Sequence, residues 1–373
     1  MKKSLGIYIH IPFCLRKCRY FDFCSFPDKG RDTVLKYADA ICRNIKCAPK
    51  TKDEYTVDTV YFGGGTPSLM PKDGIEKILN SLREGFELSE DAEITMECNP
   101  ATAELGYLSA VRAMGVNRLS IGLQSAVEGE LKLLGRAHSL SDFVSCYNQA
   151  REAGFDNISV DLMYGIPDQT EDSLMESLNF IESIAPEHVS VYGLMIEKGT
   201  YFAAHEKELR LADDEGQAHM YLLISRELRR MGYEKYEISN FSLQGRESRH
   251  NMRYWHCLEY LGFGVAAHSY FKGERFGNSR DIDGYLQGID ITEERESVDG
   301  EGERAEYLML GMRLSRGISR AEYARRFGRE LDGDLPPMDG LIAEGFLLDD
   351  GDRISFTDKG FLVSNEIIAR MLP

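Results

Sequence analysis

Cys14 and Cys18 share one short loop with Phe21 and Cys24. Closely spaced thiolates on a loop are how iron–sulfur clusters are held. Three cysteines at Cys-x3-Cys-x2-Cys spacing would leave one iron of a four-iron cluster open to S-adenosylmethionine, whose sulfonium an electron from the cluster can cleave. Here the third place is Phe21, which has no lone pair to donate, so the loop is one ligand short. Cys24 is the nearest thiol that could substitute in a repacked loop. Two cysteines also fit a plainer role as small buried apolar groups. The run Gly63-Gly64-Gly65-Thr66 lets a ligand approach the backbone closely, although such a run is also an ordinary turn. Glu97, Gln124, Arg136 and Asp161 could supply polar contacts to a ligand, with surface or capping roles as the alternative. Arg136 suits a carboxylate, because its planar fork pairs bidentately, while Glu97 and Asp161 suit hydroxyls or an amine. Finally, His250-Asn251-Met252-Arg253-Tyr254-Trp255 offers an imidazole that can ligate heme iron, among rings that can shelter a flat macrocycle. His10, His256 and His268 are weaker ligand candidates, and a hydrogen-bonded or solvent-facing role is open to all four.

The elements that must position these groups alternate along the chain up to about Asn240. Strands are predicted at Gly6–His10, Thr56–Phe62, Glu93–Glu97, Arg118–Gly122, Ile158–Met163 and His188–Leu194. Helical spacing lies between them, as in Ile75, Ile78, Leu79 and Leu82, or Leu174, Leu178, Ile181 and Ile184. Strand, crossover, strand at this repeat means βαβ units and a parallel sheet. Cys14, the glycine run, Glu97, Gln124 and Asp161 all fall at or just after strand C-termini, the ligand-binding edge of parallel α/β folds. That placement favours a partial (β/α)6-type barrel with a site at its mouth. The predicted units are a barrel core over 1–240, a connecting segment over 241–303 ending in an acidic linker, Thr292–Glu303, and a C-terminal domain over 304–373. Helices, then a hairpin over Phe346–Phe356, then a last helix capped by Thr357 make that domain α+β and winged-helix-like.

Composition bounds the partners. The chain has 373 residues, with 44 basic against 61 acidic side chains and a formal net charge of −17, which argues against nucleic acid as the main partner. No run approaches the roughly 18 apolar residues of a membrane-spanning helix. The N-terminal apolar stretch is broken by His10 and Pro12 and lacks a small-residue cleavage site, so it does not read as a signal peptide. The expectation is a cytoplasmic protein whose eight cysteines are thiols or ligands, not a disulfide framework.

The ordered motifs resemble the radical S-adenosylmethionine superfamily, and within it the heme chaperone branch of the oxygen-independent coproporphyrinogen III oxidase-like family. They begin with Tyr8-x-His10-x-Pro12-Phe13-Cys14-x3-Cys18-x-Tyr20-x-Asp22-Phe23 and continue through Tyr61–Ser68, Gly115–Ser125, Gly135-Arg136-x-His138 and Asp161–Pro167. Tyr236–Phe241, His250-Asn251-x2-Tyr254-Trp255 and Gly264-x2-Ala267-His268-Ser269-Tyr270 complete the set, so the resemblance spans nearly the whole chain. It implies a [4Fe-4S] cluster at Cys14 and Cys18, with Phe21 in the third ligand position. It implies S-adenosylmethionine held by Gly64, Gly65 and Thr66 at its methionine end, by Tyr8 on its adenine side, and by Glu97, Gln124, Arg136 and Asp161. It further implies heme at His250, to be delivered to an acceptor heme protein such as a membrane respiratory protein. The oxidase branch carries an extra cysteine where this chain has Phe23, a departure that points toward the chaperone branch. With Phe21 in place the expectation is a weakened or absent cluster. Two alternatives stand beside heme delivery: oxidative decarboxylation of a porphyrinogen, and a degenerate, non-catalytic partner-binding protein. The sequence leaves open whether the chain forms a homodimer.

Overall fold

The structure, a computed structural model, describes residues 2–16, 18–21, 24–27 and 30–372. The predicted strands form, the first five longer than predicted and the sixth one residue shorter: β1 (Lys3–Ile11), β2 (Tyr55–Gly64), β3 (Leu88–Cys98), β4 (Arg118–Gln124), β5 (Ile158–Tyr164) and β6 (His188–Gly193). They pair in parallel in chain order. Each is apolar enough to be covered on both faces, as parallel strands require, and all seven residues of β4 are buried. Helices on the outer surface carry the crossovers. One of them, Lys72–Gly85, turns Ile75, Ile78, Leu79 and Leu82 into the core, the stripe predicted from their spacing.

The segment read as a connector does more than connect. Residues 241–303 add β9 (Tyr260–Phe263) parallel to β1, followed by the antiparallel strands β10 (His268–Phe271), β11 (Glu274–Asn278) and β12 (Thr292–Ser297). Beyond β6 lie β8 (Asn240–Ser242) and β7 (Glu234–Lys235), giving one twelve-stranded sheet in the order β12-β11-β10-β9-β1-β2-β3-β4-β5-β6-β8-β7. The acidic stretch expected to be a solvated linker begins as edge strand β12, with all six residues exposed. Its charge suits an edge, where acidic side chains discourage pairing with another chain.

The C-terminal unit follows the predicted plan. Ile318–Ser319, Leu347–Asp349 and Arg353–Phe356 form a three-stranded antiparallel sheet, and Thr357 caps the next helix by accepting from the Gly360 N–H. It is docked on the barrel. Leu314 bridges to Glu237, and Asp358 pairs with Lys235 at 2.6 Å and with Arg229 at 3.0 Å. Lys235 is almost fully buried under this domain, with its ammonium 4.1 Å from the centre of the Phe361 ring.

Candidate active site at the barrel mouth

The C-terminal ends of β1 to β5 deliver their side chains to one cavity of about 440 Å³. Cys14, Cys18, Phe21, Tyr8, Gly64, Gly65, Thr66, Glu97, Gln124, Arg136 and Asp161 all line it. Register explains the convergence: Tyr8 lies beside Tyr61 and Ile11 beside Gly64, so the cysteine loop and the glycine turn leave the sheet at the same level.

Gly64 has φ of 114°, and a Cβ there would lie 2.6 Å from the His10 ring; one on Gly65 would lie 2.7 Å from the Phe13 carbonyl and 3.0 Å from Cys14 Sγ. These two positions therefore need glycine. Gly65→Ala is expected to lower stability by about 1–3 kcal/mol, read as the urea midpoint, because the added methyl overlaps a backbone oxygen that cannot swing away.

Glu97 fixes this turn. Its carboxylate accepts from the Gly64 N–H at 3.1 Å and from the Tyr61 hydroxyl at 2.9 Å. Burial, aided by the charge of Asp161, pushes the Glu97 carboxyl up to about 7. Burial also raises Asp161, which accepts from Ser120 Oγ at 3.0 Å. Gln124 closes β4 with φ of 68°, a left-handed conformation that turns the chain out over the mouth. Arg136 donates to Cys18 Sγ at 3.4 Å, while its Nε is buried with no partner. An orphaned guanidinium N–H, backbone bared by glycine and two carboxylates suit a ligand carrying both an amine and a carboxylate. S-adenosylmethionine is such a molecule, and this part of the site fits it.

The cysteine side fits less well. Thr66 Oγ1 donates to Cys14 Sγ at 3.6 Å, and burial raises the Cys14 thiol. The Arg19 N–H reaches the Leu134 carbonyl at 3.3 Å, holding the Cys18 stretch against a neighbouring helix end. Phe21 packs on Tyr20, with ring centres 4.4 Å apart, in a cluster with Leu134, Met163 and Phe202. Cys24 does not line the mouth in this structure. It is buried in the main core, its carbonyl meets His10 Nε2 at 3.1 Å, and it lines a neighbouring cavity, not the mouth. Among the described residues no three His, Cys, Asp or Glu side chains are grouped to hold a metal. The donor set is thus one thiol short of what a three-cysteine cluster needs. Phe23 lies outside the described residues.

His250 lies apart from these groups. It sits on the helix Arg249–Trp255 at the opposite end of the barrel, 1% exposed, and does not reach the mouth. Its Nδ1 shares a hydrogen bond with Thr59 Oγ1 and its Nε2 with Tyr254 Oη, both at 2.9 Å, and its ring stacks on Tyr61. Arg253, on the same helix, pairs with Asp58 and donates to the Glu259 carbonyl. With both ring nitrogens hydrogen-bonded to hydroxyls, binding iron at His250 would cost one of these bonds, and in this structure the segment plugs the barrel floor. The motif showed that the imidazole mattered but not which way it faced.

Sequence reasoning gave no role to Tyr61, which anchors Glu97, or to Tyr192 and Met195 on the mouth wall. The alternation of β6 could have exposed Tyr192, whereas Met195 lies past the strand and carries no periodic signal.

This geometry, a parallel partial barrel presenting cysteines and a glycine turn at one mouth, matches the radical SAM superfamily model over residues 8–181, and the HemN C-terminal domain model covers 299–363. Coproporphyrinogen III oxidase (HemN) from Escherichia coli shares the fold, with a TM-score of 0.86 at 24% identity over 99% of this chain and 90% of that one. Heme chaperone HemW of Bacillus subtilis (strain 168) is 34% identical over 98% of both chains. The HemW of Escherichia coli (strain K12) is 32% identical over 99% of this chain and 98% of its own. The chain belongs to this heme chaperone family of the radical SAM superfamily.

Proposed function

We propose that the chain binds heme and passes it to an acceptor heme protein, with the barrel-mouth cavity taking S-adenosylmethionine. The observation that carries the reading is similarity to proteins named heme chaperones along essentially the whole length of both chains, C-terminal domain included. The porphyrinogen-oxidising alternative needs a cluster as electron source, and Phe21 leaves the mouth a thiol short of one. No helix among the described residues is long and apolar enough to cross a membrane, so a membrane acceptor would be met from outside the bilayer.

The test is a titration of ferric heme into the full chain, followed by mixing with a heme-free b-type acceptor. Saturable one-to-one binding with a shifted Soret band, then transfer faster than from serum albumin, is expected. Non-saturating, detergent-sensitive association would sink the reading.

A further inference from the structure

We propose that Cys98 and Cys146 form an oxidation site, in which a hydroperoxide joins them in a disulfide that weakens ligand binding at the mouth and that a thiol reductant reopens; the effect on binding rests on the reading that the mouth takes S-adenosylmethionine. All eight cysteines are free thiols in this structure. These two come from different elements: Cys98 is the last residue of β3, and Cys146 lies on the helix Leu140–Glu152, between β4 and β5. Their Sγ atoms are 3.9 Å apart and share a hydrogen bond, so two thiols far apart in sequence already point at one another. Both residues are buried, but Cys98 lines the mouth cavity, and a small oxidant entering there reaches the pair. The hydrogen bond from Cys98 brings the Cys146 thiol down, which eases formation of the reactive thiolate.

The chemistry balances with hydrogen peroxide as oxidant. One thiolate displaces hydroxide from the peroxide and becomes a sulfenic acid; the other thiol attacks that sulfur, forming the S–S bond and releasing water. The first thiol's proton and the hydroxide make a second water, so two thiols and one peroxide give one disulfide and two waters. A small thiol reductant reverses the bond by exchange. Closure brings the sulfurs from 3.9 Å to about 2 Å. The helix is the firmer side, because Ser139 and Asp142 cap its start reciprocally and Phe143, Tyr147 and Ala150 are buried along it. The end of β3 is therefore the side that moves. It carries Glu97, which holds the Gly64 N–H and the Tyr61 hydroxyl, and leads into Asn99, whose N–H donates to Ser68 Oγ at 3.1 Å. Pulling Cys98 toward the helix thus loosens ties on both sides of the glycine turn.

The experiment treats the full chain, Cys98→Ser, Cys146→Ser and, as an exposed control, Cys47→Ser with limiting hydrogen peroxide, then alkylates the remaining thiols before digestion. Trypsin places the two cysteines on separate peptides, 84–112 and 137–151. The native chain and Cys47→Ser are expected to yield these peptides joined, lighter than their sum by two hydrogens, and to yield them apart after dithiothreitol. Neither Cys98→Ser nor Cys146→Ser should yield the joined form. The Kd of the native chain for S-adenosylmethionine, measured by calorimetry, should rise at least about fivefold on peroxide treatment and return with dithiothreitol. Cys146 does not line the mouth, and Cys146→Ser should change by less than about twofold on the same treatment. Each protein is compared with itself before treatment, so a general loss of stability in a variant does not mimic the effect. No joined peptide, or Cys14 joined to Cys18 in its place, overturns the site. A joined peptide with unchanged affinity overturns its control of the mouth. Failure of the untreated native chain to bind S-adenosylmethionine removes the mouth reading, with the disulfide itself still decided by the joined peptide.

Discussion

Phe21→Cys is expected to raise iron and acid-labile sulfide in the anaerobically reconstituted protein to about four of each per chain, against well under half that for the native chain. The reason is local. Cys14 and Cys18 line the same cavity as Phe21, so a thiol at 21 adds a third donor to that cavity. Losing the aromatic contact with Tyr20 should cost about 1–3 kcal/mol, because the ring is partly buried and the small cluster around it can relax. Cys24→Ser should leave iron content unchanged in both backgrounds, because that residue is packed into the core and lines the neighbouring cavity. A native chain that already assembles a full cluster, and loses it in Cys24→Ser, would show that the loop rearranges around iron.

His250→Ala should destabilise the folded chain by about 2–4 kcal/mol at pH 8, measured as the urea midpoint. The substitution strands the Thr59 and Tyr254 hydroxyls inside the barrel and removes the ring stacked on Tyr61. The deficit should shrink in acid. Burial, reinforced by the charges of Arg253 and Arg118, pushes His250 down to about 3 from 6.5. Below 6.5 the unfolded chain takes up a proton at this residue that the folded chain refuses, so its contribution, complete above pH 6.5, is lost progressively as pH falls toward 3. The native chain therefore loses stability across that window faster than His250→Ala does. Heme affinity of the variant, measured at pH 8 where both proteins are folded, should match the native value. A deficit that stays constant from pH 8 to pH 4 would mean that the imidazole is not held neutral.

Much of the barrel was legible because its signals are local. Six short β-rich runs separated by helical stripes specify parallel pairing, and the groups that end those runs must then meet at one edge. Glu97 and Asp161 could be placed in this way with no knowledge of contacts. His250 could not, because its orientation depends on where a seven-residue helix lands after passing beneath the sheet. The same limit hid β12. A run of acidic residues looks like a solvated loop until β11 is present to pair with it, since edge strands draw their regularity from a neighbour and not from an apolar pattern. Whether Cys24 faces the mouth was not legible for a related reason: proximity in sequence to Cys18 does not say which cavity a thiol lines.

The plug formed by His250, Tyr254 and Arg253 makes the barrel blind-ended. The cavity beneath it, against the C-terminal domain, shares no lining residue with the mouth cavity. A small molecule entering at the mouth therefore has no direct route through the barrel to that lower cavity and leaves on the side by which it came.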